Sequence, residues 1–140
     1  MAADVADSVD LAWESESIPD DAVLYMRAHR QYFRGGILQP GVFRDQQSAM
    51  STEWQKYCDT PQEARSRAKE PKDNAIISLI VGDVRGIQGL TVVHTPDPER
   101  LNRAHVDVVG AKTDKVRSEL LVICDVVLPL EDVNQVGGDS

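Results

Sequence analysis

The residues best suited to chemistry are His94, His105 and Asp107, which lie on two predicted strands joined by a Pro-rich turn. In an antiparallel pair of these strands, His94 would lie opposite His105, and Asp107 would share the face of His105. Two imidazoles and a carboxylate can bind a transition metal, and a histidine beside a substrate can act as an acid or a base. No compact ligand motif such as H-E-x-x-H accompanies them, so we expect neither a metal site nor a cofactor.

Arg27 and Ser51 lie in two short segments, "LYMR" and "MST", about 24 residues apart. These segments resemble the early arginine strand and the later Ser-Thr-Ser strand of ADP-ribosyltransferases that bind NAD. The resemblance implies that Arg27 holds a phosphate or ribose and that Ser51 or Thr52 braces the site. The Glu-x-Glu motif of those enzymes does not follow in the later strands, so their catalytic acid is missing. The hypothesis is an NAD- or nucleotide-processing enzyme that uses Arg27, Ser51, His94 and His105.

The segment "YMRAHRQYFRGG" concentrates basic and aromatic side chains in a chain whose formal net charge is -8. Arginine and aromatic residues are enriched at the centres of protein interfaces, because they combine large contact area with planar hydrogen bonding. We therefore predict a partner-binding surface composed of Arg27, Arg30, Tyr32, Phe33 and Arg34. Acidic residues upstream would shield this surface until a partner displaces them.

The negative charge is concentrated at the two ends of the chain. Residues 1–26 contain seven acidic residues and no Lys or Arg, and three more acidic residues follow residue 126. Residues 27–126 contain all 15 Lys and Arg, against the 13 acidic residues that remain when seven and three are subtracted from 23. The overall acidity argues against nucleic acid as a partner. We predict an acidic disordered arm over residues 1–17 and an acidic, Gly-rich tail over residues 131–140.

Apolar runs rich in Ile and Val predict the strands of one sheet. These strands cover residues 74–82, 90–94 and 104–109, with a last strand in "VVLPL". Residues 22–33 favour a further strand, followed by a loop from Arg30 to Pro40, because apolar and polar side chains alternate over residues 24–29. The alternative for this segment is a helix that begins after two acidic residues and ends with arginines in its last turn.

Capping residues predict two helices. Thr60 and Glu63 form a T-x-x-E capping box that begins a helix over residues 60–70, and Thr113 caps a helix over residues 113–124. "MSTEWQKYCD" predicts a short helix capped by Ser51 or Thr52, and "GDVRGIQG" predicts a hairpin turn.

Strands and helices do not alternate strictly, which favours antiparallel pairing over a doubly wound parallel sheet. We predict a single α+β domain over residues 18–130, with a mostly antiparallel sheet of about 4–5 strands and about 2–3 helices packed on one face. The predicted core residues are Ile77, Leu79, Val81, Val92, Val106 and Val108.

The cysteines and the apolar runs bear on where the protein works. Cys58 and Cys124 are not in C-x-x-C spacing, which is typical of free thiols in a reducing compartment. No apolar run reaches the ~18 residues needed to span a membrane, and the first residues lack the features of a signal peptide. We therefore predict a cytoplasmic protein that does not bind membranes.

The main functional hypothesis is a small accessory or protein-interaction subunit of the immunity, antitoxin or adaptor type, with another protein as its partner. It follows from the lack of a Walker loop or a G-x-S-x-G motif. The enzyme hypothesis requires Arg27 and His94 or His105 to converge on one concave pocket. The interaction hypothesis requires an exposed basic or apolar patch beside Tyr32 and Phe33.

Overall fold

The computed structural model of the chain describes residues 13–131. They form an α+β domain around a six-stranded antiparallel sheet, accompanied by a separate two-stranded hairpin. The strands are β1 Val23–His29, β2 Phe33–Arg34, β3 Ile37–Leu38, β4 Met50–Trp54, β5 Asn74–Ile80, β6 Thr91–His94, β7 His105–Val109 and β8 Asp125–Leu128. The helices are α1 Pro61–Ser66, α2 Val81–Arg85 and α3 Asp114–Ile123. Within residues 13–131, no helix is both long enough and apolar enough to cross a membrane.

The six strands lie in the order β6-β7-β4-β1-β5-β8, and every neighbouring pair is antiparallel. β1 pairs with β5 along its whole length, from Val23 opposite Ile80 to His29 opposite Asn74. The strand interpretation of this segment is therefore confirmed, and the helix alternative is wrong. The mostly antiparallel α+β architecture is also confirmed.

Both faces of the sheet are covered. The main core lies on the face of Leu24 and Ile77, where α2 and α3 pack through residues such as Val84 and Leu120. α1 instead contacts β1, β5 and β8 on the opposite face. The prediction that the helices share one face is thus wrong. The reason is that β1 and β5 also carry large apolar side chains on their other face, and these need a second cover.

The second core consists of the side chains that α1 covers. Tyr25 and Ile76 project there from β1 and β5, and Ala64 of α1 is buried against them. Of the predicted core residues, five are fully buried on the main face and Val92 is half-buried against the same core.

The segment predicted as a short helix at "MSTEW" is a strand, β4, which raises the sheet to six strands. Met50 and Trp54 pack into the main core on one face, and Ser51 and Glu53 project to the other. A strand forms despite the helix-capping residues, because pairing with β1 and β7 satisfies the backbone hydrogen bonds and buries the apolar side chains. The alternation is short, since only Met50 and Trp54 are apolar on the core-facing side of β4.

The first four residues of "GDVRGIQG" belong to the short helix α2, Val81–Arg85, so this segment is not a hairpin turn. Val81 and Val84 of α2 are three residues apart and both buried. β5 and β6, which α2 connects, are not neighbours in the sheet. A hairpin turn between them is therefore wrong, because β1 and β8 occupy both edges of β5.

Both predicted helix starts are confirmed. Thr60 Oγ1 accepts a hydrogen bond from the Glu63 amide at 3.1 Å, and Thr113 Oγ1 accepts one from the Val116 amide at 3.2 Å. α1 ends at Ser66, four residues before the predicted end at residue 70. The Ser66 hydroxyl donates to the Glu63 carbonyl at 2.7 Å, which is the acceptor that the next helical turn would use.

Leu79→Ala tests the main core. Leu79 is fully buried, so its truncation should lower the free energy of unfolding by roughly 2–5 kcal/mol, measured by urea denaturation. Val122→Ala is the matched control: Val122 is 84% exposed, and its loss should change the free energy by less than about 0.5 kcal/mol. An unchanged midpoint for Leu79→Ala would remove Leu79 from the core.

Candidate ligand-binding site

A polar patch lies on the α1 face of the sheet, beyond the part that α1 covers. Between β4 and β7, Glu53 is opposite His105 and Ser51 is opposite Asp107. Between β1 and β4, Tyr25 is opposite Glu53. Because side chains alternate along a strand, all five residues project from the same face. Three neighbouring strands of the sheet, β7, β4 and β1, therefore bring polar residues from distant parts of the sequence into one area.

A groove with two chambers opens on this patch. The inner chamber is a cavity of about 260 Å³, and the outer chamber is one of about 370 Å³. The two share Arg27, Gln46, Ser51, Asn102 and His105. The inner chamber adds Tyr25, Thr52, Glu53 and Ala64, and the outer one adds Asp97, Arg100 and Asp107.

Glu53 forms the buried floor of the inner chamber, with only 3% of its surface exposed. Its Oε2 accepts hydrogen bonds from Asn102 Nδ2 at 2.9 Å and from Arg67 Nη1 at 3.1 Å. Its Oε1 lies 3.5 Å from Arg27 Nη1 and 3.7 Å from Cys58 Sγ. A carboxylate this deeply buried is tolerated only when cations and donors compensate it.

The two arginines beside Glu53 differ in how many of their guanidinium nitrogens already have hydrogen-bond partners. Arg67 also donates to Glu63 at 2.8 Å and to Asn102 Oδ1 at 2.7 Å, so its charge is shared between two carboxylates. Arg27 uses only Nη1, which also faces the Ala64 carbonyl at 3.3 Å. Its Nε and Nη2 have no partner among residues 13–131. Arg27 is therefore the cation that remains available to an anionic ligand.

His105 is held so that one ring nitrogen faces the groove. Its Nδ1 lies 3.0 Å from the Thr95 carbonyl and 2.8 Å from Thr95 Oγ1, and its Nε2 lies 3.2 Å from Ser51 Oγ. A carbonyl only accepts hydrogen bonds, so this contact places the proton on Nδ1. Nε2 then accepts from the Ser51 hydroxyl, and the pair can exchange a proton.

Cys58 is not a nucleophile of this site. Burial raises the pKa of the Cys58 thiol to about 12, and the neighbouring Glu53 carboxylate acts in the same direction. The thiol is therefore neutral at physiological pH and contributes packing beneath Glu53.

His94 lies on the main core face, away from the groove. It pairs with Val106 instead of His105, and it is 1% exposed against the Trp54 ring. The predicted group of His94, His105 and Asp107 is thus wrong by one residue of register, which places His94 on the opposite face. Its Nδ1 accepts from the Glu16 amide at 3.0 Å, so both the ring and the chain before β1 are fixed.

Of the four residues in the enzyme hypothesis, the structure brings together Arg27, Ser51 and His105. Reasoning from the sequence missed Glu53, Asn102 and Arg67. A useful signal was present for Glu53, because Met50, Thr52 and Trp54 alternate with it as in a strand. Nothing local indicates Asn102 or Arg67, whose roles come from tertiary contacts.

The residues of the predicted partner-binding surface are separated. Arg27 lines the groove, whereas Arg30, Tyr32, Phe33 and Arg34 line neither chamber. Tyr32 and Phe33 are half-buried against the main core, and Arg34 is exposed on the β2–β3 hairpin. The partner-binding role of these residues stays a prediction.

The described part of the acidic arm contacts other basic residues than those of that surface. Glu16 pairs with Lys56 at 2.7 Å, and Asp20, just after the predicted arm, pairs with Arg85 at 2.6 Å. The hydrogen bond from the Glu16 amide to His94 extends the packed chain into the predicted arm. Residues 1–12 and 132–140 lie outside the described residues, and shielding by the first of these segments stays a prediction.

Three potential metal ligands, His29, Glu70 and Asp73, lie close together outside the groove. His29 Nδ1 accepts from the Gln31 amide at 3.1 Å, so Nε2 carries the proton and faces Glu70 at 3.8 Å. Asp73 is engaged by Arg30 at 2.8 Å. These contacts fit a set of surface ion pairs better than a metal site.

Comparison with known proteins finds no matching family model, no matching curated protein and no matching solved structure. The functional argument for this chain therefore rests on the geometry of the groove.

Glu53→Ala tests the buried carboxylate. It should lower the free energy of unfolding by about 3 kcal/mol, the lower end for breaking a buried ion pair, because Arg27 and Arg67 are each about one-third exposed and can turn to water. Glu63→Gln is the matched control, since the Glu63 side chain is 40% exposed and its pair with Arg67 should contribute less than about 1 kcal/mol. Equal urea midpoints for the two variants would contradict the structural role of Glu53.

Proposed function

We propose that the protein binds a small phosphate-bearing ligand of the nucleotide class in the groove and acts on it with His105 and Ser51. The observation that supports this is the convergence of Arg27, Ser51 and His105, which are far apart in sequence, on one cavity above the buried Glu53. A concave site with a few convergent polar groups is the usual form of a small-molecule site.

Arg27 is the proposed phosphate ligand. Its guanidinium is about one-third exposed, and two of its nitrogens have no partner within residues 13–131. Planar guanidinium groups suit phosphate oxygens, which they bind with paired hydrogen bonds. Gln46 lies at the same wall, where its Oε1 accepts from the Ser51 amide at 2.8 Å and leaves its amino group as a neutral donor.

His105 and Ser51 are the proposed reactive pair. His105 Nε2 accepts a proton from the Ser51 hydroxyl, or from a water molecule in its place, as that oxygen attacks the ligand. The same nitrogen returns the proton to the leaving group. The proposed reaction class is hydrolysis or group transfer on the bound ligand, which needs no oxidant or reductant. The free thiols Cys58 and Cys124 suit a cytoplasmic setting for this activity.

A protein-interaction subunit of the immunity, antitoxin or adaptor type is the second candidate. The observation that favours it is the β2–β3 hairpin, where Arg34 is exposed and Ile37 is 67% exposed. An arginine beside an exposed apolar side chain suits contact with another protein. In this candidate, Arg30, Tyr32 and Phe33 support the hairpin and Arg34 contacts the partner.

Calorimetric titration of the full chain with AMP, ADP-ribose, NAD and inorganic phosphate tests the proposed function. At least one nucleotide should bind, and Arg27→Ala should weaken its binding by about tenfold or more, because charge-assisted hydrogen bonds to phosphate are lost. Arg34→Ala is the matched control and should bind as the wild type does. His105→Ala should still bind but lose turnover.

The outcomes separate the two candidates. Arg27→Lys keeps the charge beside Glu53, and it serves as the second variant if Arg27→Ala does not fold by circular dichroism. Absence of binding by every nucleotide, or equal affinity in folded Arg27 variants, would reject the proposed function. Loss of a protein partner by Arg34→Ala with no nucleotide binding would favour the interaction subunit.

A further inference from the structure

The outer chamber contains a carboxylate whose hydrogen-bonding capacity is unused. The Asp107 side chain is 24% exposed, and within residues 13–131 it accepts no hydrogen bond; its one ion-pair contact, with His105 Nε2 at 3.8 Å, is too long for a direct hydrogen bond. Asp97, in the same chamber, already accepts from Arg100 at 2.8 Å. The two carboxylate oxygens of Asp107 are therefore available to hydrogen-bond donors on a molecule that enters the groove.

We propose that Asp107 binds the vicinal hydroxyl groups of a ribose whose phosphate is held by Arg27. This inference rests on the proposed function and makes it more specific, because it restricts the ligand to ribonucleotides. Two neighbouring hydroxyls are two donors in one plane, and an ionised carboxylate offers two acceptor oxygens that match them.

The positions of the strands suit a ligand of this length. Asp107 on β7 is paired with Ser51 on β4, and β1 with Arg27 is the next strand. Neighbouring strands lie about 4.8 Å apart, and a single strand, β4, separates β7 from β1. The side chains of Asp107 and Arg27 both line the outer chamber, so one ligand in that chamber can contact both.

The two chambers give the ligand a direction. Arg27 lines both chambers, whereas Asp107 lines only the outer one. The phosphate therefore lies at the junction, and the ribose lies in the outer chamber. Ser51 and His105 line both chambers, so the reactive pair faces the sugar and its phosphate ester.

Titration of the full chain with AMP and with its dideoxy analogue tests this assignment, in the presence of a chelator so that no cation bridges Asp107 to the ligand. The wild type should bind AMP about tenfold more tightly than the dideoxy analogue, because two hydrogen bonds to a carboxylate are lost. Asp107→Asn should bind both with nearly the same affinity. Asp45→Asn is the matched control, because the Asp45 carboxylate pairs with Lys112 and lines neither chamber, and it should keep the full preference for AMP.

Each of the other outcomes contradicts the inference and shows which part of it is wrong. If the wild type binds both nucleotides equally well, the diol is not recognised, although Arg27 still holds the phosphate. If Asp107→Asn keeps the preference for AMP over the dideoxy analogue, another residue binds the diol. If the wild type binds neither nucleotide, the inference fails, and the proposed function fails with it when ADP-ribose and NAD do not bind either. Should Asp107→Asn not fold, Asp107→Glu keeps the charge and displaces the oxygens, and it should also reduce the preference.

Discussion

The carboxylate of Glu53 lies in the middle of the sheet, where an uncompensated charge would be strongly destabilising. Its compensation comes from three separate parts of the chain: Arg67 just after α1, Asn102 in the loop before β7, and Arg27 on β1. Because each partner lies in a different segment, their contacts with the Glu53 carboxylate fix the end of α1 and the loop before β7 relative to the sheet. These are the same segments that surround the groove, so the buried ion pair and the shape of the candidate site have one origin.

The arrangement also determines which charges a ligand would meet. Arg67 is shared between Glu53 and Glu63, and it is therefore largely neutralised. Arg27 makes only a long contact of 3.5 Å with Glu53, and within residues 13–131 its Nε and Nη2 remain available to a ligand. His105 and Ser51 are likewise positioned by strands and by Thr95 before any ligand arrives. Groups held by a rigid sheet need little reorganisation to act, which favours both binding and proton transfer.

Much of the fold could be predicted from the sequence where local signals and tertiary packing agree. The apolar run of β5, the caps at Thr60 and Thr113 and the alternation in β1 all predict the observed elements. β4 was not predicted, because its core-facing side has only two apolar residues, Met50 and Trp54, around the polar Thr52, and Ser51 and Thr52 also fit a helix cap. The position of His94 could not be predicted either, because a shift of one residue in register moves a side chain to the other face. For the site, Arg27, Ser51 and His105 were identifiable by residue type, but their convergence depends on strand order, which no local pattern encodes.

The most direct test of this account is a double-mutant cycle between Glu53 and Arg67, measured as free energies of unfolding in urea. The variants are Glu53→Gln, Arg67→Gln and the double variant, and a parallel cycle with Glu63→Gln provides the exposed comparison. If Glu53 organises the groove, its coupling free energy with Arg67 should be about 1–3 kcal/mol. The coupling free energy of Glu63 with Arg67 should be about 0.5 kcal/mol. Additive effects of Glu53→Gln and Arg67→Gln would show that the buried carboxylate does not depend on this arginine, and that would contradict the account.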